Sequence, residues 1–331
     1  MAYSADLSKE EQKALAKMKV DKALLRVNRD VASVFTNEKL SDFLSFSVKF
    51  HYFDINNVLL LYKQYPEATF VASFKTWQKL LKEFRGGDSG RSVFATSQKG
   101  RGIGILVPYI LKKKLNAAAK QGRGAETTVV SYLDYHIVFV FDRTQTNNIP
   151  SPVIPWNLKE SRESSELVFR AFEANAPFLI CFEDSDAESN YQISPKIESG
   201  YEKPTLTFKF SDRGKYYELC NLIIKHYVLL SIPDIKKQFP ANEFQKIAEC
   251  VAFMLSAYFG LPTDDYSFFF AVEWGNRTAG EMIELLSVIQ NAAHLLIEDL
   301  EEEIEYLRVL YGGGDVEDID GIFDIVSDYD F

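Results

Sequence analysis

The sequence predicts an α+β fold with two domains. The first is expected to combine N-terminal helices with a small antiparallel sheet, and the second to be mostly helical with a small sheet of its own. A chain of 331 residues is long enough for about two domains of ordinary size. Apolar residues recur at helical spacing before residue 85 and after residue 214, and β-prone runs lie between these regions.

The N-terminal part is predicted to be helical. Ser8 followed by Glu11 is the pattern of a capping box, which begins a helix by satisfying backbone N–H groups. Further helices are predicted over 43–50, 56–65 and 74–84. On the last of these, the spacing of Phe74 and Trp77 favours a core position for both rings, with base stacking as the alternative for Phe74.

The middle of the first domain is predicted to be a sheet. The β-prone runs Arg91–Thr96 and Ile103–Ile110 are joined by a basic, glycine-rich turn and predict a hairpin. Val129–Phe141 supplies a third strand. The lysine-rich stretch 111–128, which precedes it, is expected to be a loop.

A proline-rich segment marks the domain boundary. Residues 147–155 read NNIPSPVIP, a composition typical of linkers. The predicted organisation is a basic domain over 1–146, a linker over 147–159, a second domain over 160–311 and a disordered acidic tail over 312–331. Within the second domain, helices are predicted over 164–174, 215–230, 242–259 and 278–310, and strands over 178–183 and 205–210. The last helix is expected to open with a capping box from Thr278 to Glu281.

Charge is divided along the chain. Residues 1–130 hold 22 Lys and Arg against 12 Asp and Glu, whereas residues 131–331 hold 15 against 35. A basic region that also contains aromatic residues is typical of nucleic-acid binding, because cations contact phosphates and rings stack on bases. The alternative is an uneven solubilising surface.

Composition argues against several classes of protein. The three cysteines, Cys181, Cys220 and Cys250, are not closely spaced, so neither a disulfide framework nor a cysteine zinc site is expected. The first residues do not resemble a signal peptide, and no apolar stretch approaches about 20 residues, which argues against a membrane span. We therefore expect a cytoplasmic protein without a cofactor.

Cations and rings of the basic region are the candidate nucleic-acid contacts. The cations would contact phosphates, and the rings would stack on bases. The candidates are Tyr52, Tyr62, Lys75, Lys79, Arg91, Phe94, Lys99, Arg101, Lys112, Lys113 and Lys114, to which the motifs described next add Asn57.

Motifs of the first domain resemble a known family. They are Asn57 with Val58–Leu61, Pro66-Glu67-Ala68-Thr69, Val71, Phe74, Trp77, Lys99-Gly100, Ile103, Ile105, Pro108, Val140-Phe141-Asp142 and Gln145-Thr146. In order and spacing they resemble the single-stranded-DNA-binding domain of the ArdC-type antirestriction proteins of plasmids, conjugative elements and phages. The resemblance implies that residues 1–146 bind single-stranded DNA, and Asn57 is among the implied contacts.

The second half resembles the zincin-like metallopeptidase domain of the same family. The matching segments are Gly200-Tyr201, Thr205–Phe210, Ala248–Phe253, Tyr258–Leu261, Asp265–Phe268 and Trp274. The resemblance places the family's HExxH metal helix at 222–230, where Ile224, Lys225 and Val228 stand in place of its His, Glu and His. Glu249 stands at the position of the family's downstream acidic metal ligand.

This departure predicts a pseudo-enzyme. A catalytic zinc needs about three protein ligands, and only Glu249 of the four positions could supply one. An ion pair between Lys225 and Glu249 could fill the vacated site. Elsewhere, His294 and Glu298 are four residues apart on a predicted helix and could both contact a metal, but the acidic residues around them favour a solvated face.

Three functions remain open at this point. The first is a non-enzymatic counter-defence protein of a mobile element or phage that binds single-stranded DNA non-specifically. The second is an acidic DNA mimic that directly inhibits a host restriction or CRISPR nuclease, and it requires Glu298–Glu305 and the acidic tail to form a continuous exposed stripe. The third is an active zinc metallopeptidase that uses replacement ligands.

Overall fold

The fold is α+β, as predicted. A computed structural model describes residues 8–84, 101–116, 127–146, 156, 158–183, 193–194, 205–209 and 215–312. The helices are α1 (Lys9–Asp30), α2 (Asn37–Ser47), α3 (Ile55–Gln64), α4 (Phe74–Phe84), α5 (Arg162–Asn175), α6 (Tyr216–Ser231), α7 (Pro233–Gln238), α8 (Ala241–Phe259), α9 (Ala271–Trp274) and α10 (Ala279–Gly312). The strands are β1 (Val71–Ser73), β2 (Ile103–Asn116), β3 (Thr127–Asp142), β4 (Leu179–Glu183), β5 (Ile193–Ser194) and β6 (Thr205–Lys209).

Both predicted capping boxes are present. Before α1, the Ser8 backbone N–H donates to Glu11 Oε2 at 2.8 Å, and the Glu11 N–H donates to Ser8 Oγ at 3.3 Å. Before α10, the same reciprocal pair joins Thr278 and Glu281 at 2.9 and 3.3 Å. The local pattern therefore sets where both helices begin.

The chain folds into two compact units. Of the described residues, 8–30 and 56–146 belong to the first unit, and 31–55 and 156–312 belong to the second. The predicted first domain of 1–146 was therefore too inclusive, because residues 31–55 pack with the second unit. The predicted tail and most of the predicted linker lie outside the described residues.

Residues 31–55 belong to the second unit because their apolar side chains are buried there. Helix α2 packs on α8 and buries Leu40, Phe43 and Phe46. Ser47 Oγ hydrogen-bonds Gln290 Oε1 on α10, and Gln290 Nε2 donates to the Phe50 carbonyl at 2.9 Å. These polar groups are buried and satisfied together, so the segment is fixed to helices that follow about 200 residues later.

The sheet of the first unit has the strand order β1-β3-β2 and is antiparallel throughout. Strand β2 continues through Asn116, and β3 begins at Thr127, so the predicted loop over 111–128 was too long. The hairpin partner of β2 is β3. The strand predicted at Arg91–Thr96 lies outside the described residues.

The second unit combines helices with a small mixed sheet. Strand β4 pairs in parallel with β6, and β5 pairs antiparallel with β6. Helices α5, α6, α8 and α10 pack on one another around Phe172, whose ring centroid lies 5.0 Å from that of Tyr227. Helix α8 ends at Gly260, which has a left-handed φ of 68° that favours glycine. Within the described ranges, no helix has the length and apolarity that crossing a membrane requires.

The charge division follows the units. The described residues of the first unit, 8–30, 56–84, 101–116 and 127–146, hold 16 Lys and Arg against 8 Asp and Glu, so this unit is basic without residues 31–55. The basic character is therefore a property of a folded unit as well as of a stretch of sequence.

Candidate functional site

Several motif residues that carry the family resemblance have structural roles. Buried Asp142 accepts the N–H groups of Thr69 at 2.8 Å and Phe70 at 3.1 Å. Gln145 accepts the Asp142 N–H and donates to the Arg101 carbonyl, both at 2.9 Å. These bonds join the end of β3 to the segments before β1 and β2.

Asn57 also has a structural role, which corrects its predicted contact with nucleic acid. Its Nδ2 donates to the Leu106 carbonyl and its Oδ1 accepts the Leu106 N–H, both at 2.7 Å. Gln64, two turns later on α3, makes the same two bonds to Gly104 at 2.9 and 3.1 Å. Since β2 is the outer strand of the described sheet, the two amides satisfy its edge. The Asn57 amide is buried, and both its oxygen and its nitrogen are already hydrogen-bonded to Leu106.

One face of the β2–β3 ribbon exposes apolar side chains. Paired residues on antiparallel strands share a face, and residues two apart share it as well. This face, called the open face below, carries Gly104, Leu106, Pro108 and Ile110 on β2 and Leu133, Tyr135, Ile137 and Phe139 on β3, and of these Leu106 is buried. Phe139 is 59% exposed, and Ile110 and Leu133 are also exposed. Aromatic rings on exposed sheet faces serve as stacking platforms for unpaired bases.

Two glycines shape the open face around Phe139. A Cβ at Gly102 would lie 2.9 Å from the Phe139 Cβ and 3.2 Å from its ring. A Cβ at Gly104 would lie 3.3 Å from Ile137 Cγ2 and 3.7 Å from the Phe139 ring. Phe139 therefore lies directly against the backbone at Gly102, where there is no room for a Cβ, whereas a Cβ at Gly104 would make only an ordinary contact with the Phe139 ring.

Exposed cations border the open face at one end. Phe141, two residues after Phe139 on the same face, packs against the core formed by α4 and β1. That core consists of Phe70, Ala72, Trp77, Leu80 and Leu81. Helix α4 thus covers the Phe141 end of the face, and its outer side carries Lys75 and Lys79, both exposed. Arg101, also exposed, directly precedes Gly102.

The other predicted contacts are placed separately. Tyr62 is half-buried on α3. Tyr52 belongs to the second unit, where its ring centroid is 4.9 Å from that of Phe53. The backbones of Lys112, Lys113 and Lys114 are in β2, opposite Ser131, Val130 and Val129. Arg91, Phe94 and Lys99 lie outside the described residues.

Sequence reasoning missed the most exposed ring of the open face. It treated 129–141 as a strand without assigning Phe139, Tyr135 or Leu133 to a face. Their spacing of two residues, or a multiple of two, is the sequence pattern that could have shown that these side chains share one face of the strand. It also expected Phe74 in the core, whereas Phe74 is 43% exposed and only Trp77 is fully buried. The indole N–H of Trp77 donates to the Phe141 carbonyl at 2.8 Å.

The helix at the position where the resemblance places the metal helix is α6, and its side chains at Ile224 and Val228 are apolar. Ile224 and Val228 are fully buried on α6, which packs on α8. Lys225 is exposed, and its Nζ lies 4.2 Å from the centroid of the Tyr266 ring, a cation–π contact. Burial raises the pKa of Tyr266 to about 12, and its hydroxyl lies 2.9 Å from Ser256 Oγ.

The predicted ion pair at this helix is replaced by the cation–π contact. Within the described ranges, no ion pair shorter than 4.0 Å joins Lys225 to Glu249. Nor do the residues whose side chains are described include a group of three or more His, Cys, Asp or Glu placed to hold a metal ion. Ile224, Lys225, Val228 and Glu249 thus form no ligand set.

The acidic stretch of α10 is interrupted. Glu298, Asp299 and Glu302 are exposed, and a cavity of about 370 Å³ is lined by Asn175, Asp299, Glu302, Glu303 and Tyr306. Glu301 instead turns inward and accepts the hydroxyl proton of Tyr258. Burial raises the pKa of the Glu301 carboxyl. Exposed Leu295 and Tyr306 flank the acids.

Comparisons with known proteins give one weak similarity. No family model matches the sequence, and no curated protein matches it. Among solved structures, the chain is similar to the metal-free crystal structure of the antirestriction ArdC protein from the R388 plasmid. The two share 17% sequence identity, with a TM-score of 0.43, over 76% of this chain and 85% of that chain. These values do not establish a common fold.

Proposed function

We propose that this chain is a non-enzymatic counter-defence protein that binds single-stranded DNA non-specifically through the open face of its first unit. The observation that carries the binding proposal is Phe139, an exposed ring packed against the backbone of Gly102 in a unit that also exposes Lys75, Lys79 and Arg101. The counter-defence role is proposed from the resemblance of the sequence motifs.

The open face suits unpaired bases better than a duplex. Its exposed side chains are apolar or aromatic, and every base presents a ring face to stack on. Lys75, Lys79 and Arg101 supply positive charge at the α4 end, where a phosphate backbone would run. Such contacts carry little sequence information, which fits non-specific binding.

Binding should depend steeply on salt. With a fluorescent single-stranded oligonucleotide, the logarithm of the association constant should fall linearly with the logarithm of salt concentration, by about 0.7 for each phosphate neutralised. Lys79→Gln removes one cation, so this slope should become shallower by about 0.7, the value for one neutralised phosphate. An association constant that does not change with salt concentration, or the absence of binding, would contradict the proposal.

Phe139→Ala should weaken binding by about 1–3 kcal/mol, roughly 5- to 150-fold in Kd, because one stacked base loses its ring. Phe269→Ala is the matched control, since this ring is 79% exposed but lies in the second unit. Equal affinities of the two variants would exclude the open face as the stacking site.

The second unit is proposed to be a pseudo-metallopeptidase that serves as an interaction platform. The burial of Ile224 and Val228 supports this, because these side chains fill the positions that imidazoles would need. Hydrolysis of a peptide substrate by zinc-loaded protein, but not by chelator-treated protein, would contradict it.

Direct inhibition of a nuclease by an acidic DNA mimic is less well supported. The inward Glu301 and the exposed apolar residues break the stripe of charge that phosphate mimicry requires. A host partner retained in a pull-down after nuclease treatment would favour this alternative over DNA-mediated association.

A further inference from the structure

Two histidines that are distant in sequence meet in the second unit. His51 Nδ1 lies 3.0 Å from His294 Nδ1, and the ring centroids are 5.2 Å apart at an interplanar angle of 44°. His51 follows the 3₁₀ turn Val48–Phe50, and His294 is on α10. Neither histidine belongs to the open face.

The surroundings fix both rings. His294 Nε2 lies 3.4 Å from Glu298 Oε1, so a carboxylate faces the ring nitrogen of His294 that is turned away from His51. The rings of Tyr52 and Tyr258 pack edge-on against His51, with centroids at 5.6 and 5.5 Å. His294 is 27% exposed, so the pair is accessible from solvent.

We propose that His51 and His294 form a two-imidazole binding site for a divalent transition metal, Cu²⁺ or Ni²⁺. Two nitrogens bonded to one ion at about 2.0–2.1 Å lie about 2.9 Å apart at the right angle of a tetragonal site and about 3.3 Å apart in a tetrahedral one. The observed 3.0 Å is closer to the tetragonal value, and water completes the coordination.

Metal binding requires one change of tautomer. In the metal-free protein, a single proton on His51 Nδ1 can donate to His294 Nδ1. When a metal binds, that proton moves to His51 Nε2, and both Nδ1 lone pairs face the ion. Glu298 then completes the carboxylate–histidine–metal arrangement that orients many imidazole ligands.

This site is distinct from a peptidase centre and departs from the prediction of no metal. It supplies two protein ligands, whereas a catalytic zinc has about three. Its affinities should follow the order Cu²⁺ above Ni²⁺, with Cu²⁺ also above Zn²⁺. It lies in the second unit and is independent of the proposed DNA binding.

The test is titration of the full chain, stripped with a chelator, with Cu²⁺ or Ni²⁺ by calorimetry, together with the Cu²⁺ paramagnetic resonance spectrum. We expect one equivalent to bind with nitrogen coupling in the spectrum. His51→Gln and His294→Gln should each abolish that coupling pattern and weaken binding at least about tenfold. Glu298→Gln should weaken binding by about 10- to 100-fold.

His136→Gln and His226→Gln are the matched controls, because each removes an imidazole outside the pair. Both should bind metal as the unchanged protein does. The proposal is overturned if no stoichiometric binding occurs, which would leave only a hydrogen bond between the rings. It is equally overturned if His294→Gln, checked for folding by circular dichroism, binds unchanged.

Discussion

At the residue scale, buried polar side chains give several of the family-like motifs a structural role. Asn57 satisfies the backbone of Leu106, and Asp142 satisfies that of Thr69 and Phe70. Removing either side chain would leave buried backbone groups without partners, at a cost of about 1–3 kcal/mol for each. These residues therefore position the open face without touching a ligand.

Glu301 gives a pH dependence whose sign can be worked out. Burial, the largest cause, raises the pKa of its carboxyl, so the folded state favours the protonated form more than the unfolded state does. The resulting stability is fully present below the unfolded pKa of about 4.3 and is lost as pH rises through the higher folded value. The contribution of Glu301 to stability should therefore fall as the pH rises above the unfolded pKa.

Glu301→Gln should flatten this dependence, because an amide oxygen can still accept the Tyr258 hydroxyl proton but cannot ionise. Urea unfolding gives the free energy of unfolding at pH 4.5 and at pH 7.5, and the difference between these two values is the quantity compared. Glu302→Gln, an exposed neighbour, is the control and should leave the difference unchanged. If Glu301→Gln shows the same difference in unfolding free energy between the two pH values as the unchanged protein, the prediction is contradicted.

The β2–β3 ribbon determines the site at the element scale, since cross-strand register places Phe139 opposite Gly104. Gly102→Ala should weaken binding of single-stranded DNA although it removes no contact atom. Its Cβ would need to lie 2.9 Å from Phe139 Cβ and would push the ring away. Gly280→Ala, where a Cβ meets nothing within 4 Å, should bind normally in the same fluorescence assay. Equal affinities would show that the position of the ring is not critical.

Local patterns predicted some elements well and others poorly. The capping residues Ser8 and Thr278 predicted where α1 and α10 begin, because such signals act within one helical turn. Strand β1 and helix α9 were missed because three- and four-residue segments carry no clear periodicity. The pairing of His51 with His294 had no local signal, since only tertiary packing brings them together.

At the scale of the whole molecule, a cut at the predicted boundary should yield unstable fragments. A fragment of residues 1–146 keeps α2 but loses α8 and α10, exposing Leu40, Phe43 and Phe46. We expect it to aggregate or to bind a hydrophobic dye strongly, because large apolar patches promote association. Co-expression with residues 147–331 should restore solubility. A soluble, dye-negative 1–146 fragment would contradict this prediction.

The return of residues 31–55 to the second unit has a consequence for synthesis on the ribosome. Helix α2 leaves the exit tunnel long before α8, its packing partner, since the two begin about 200 residues apart. At translation rates of about 5–20 residues per second, the delay is roughly 10–40 s. During that interval the nascent chain displays an unpaired apolar helix within a sequence whose flanking parts form the first unit. We therefore expect chaperones to bind this segment during translation, because the residues that cover it are made much later.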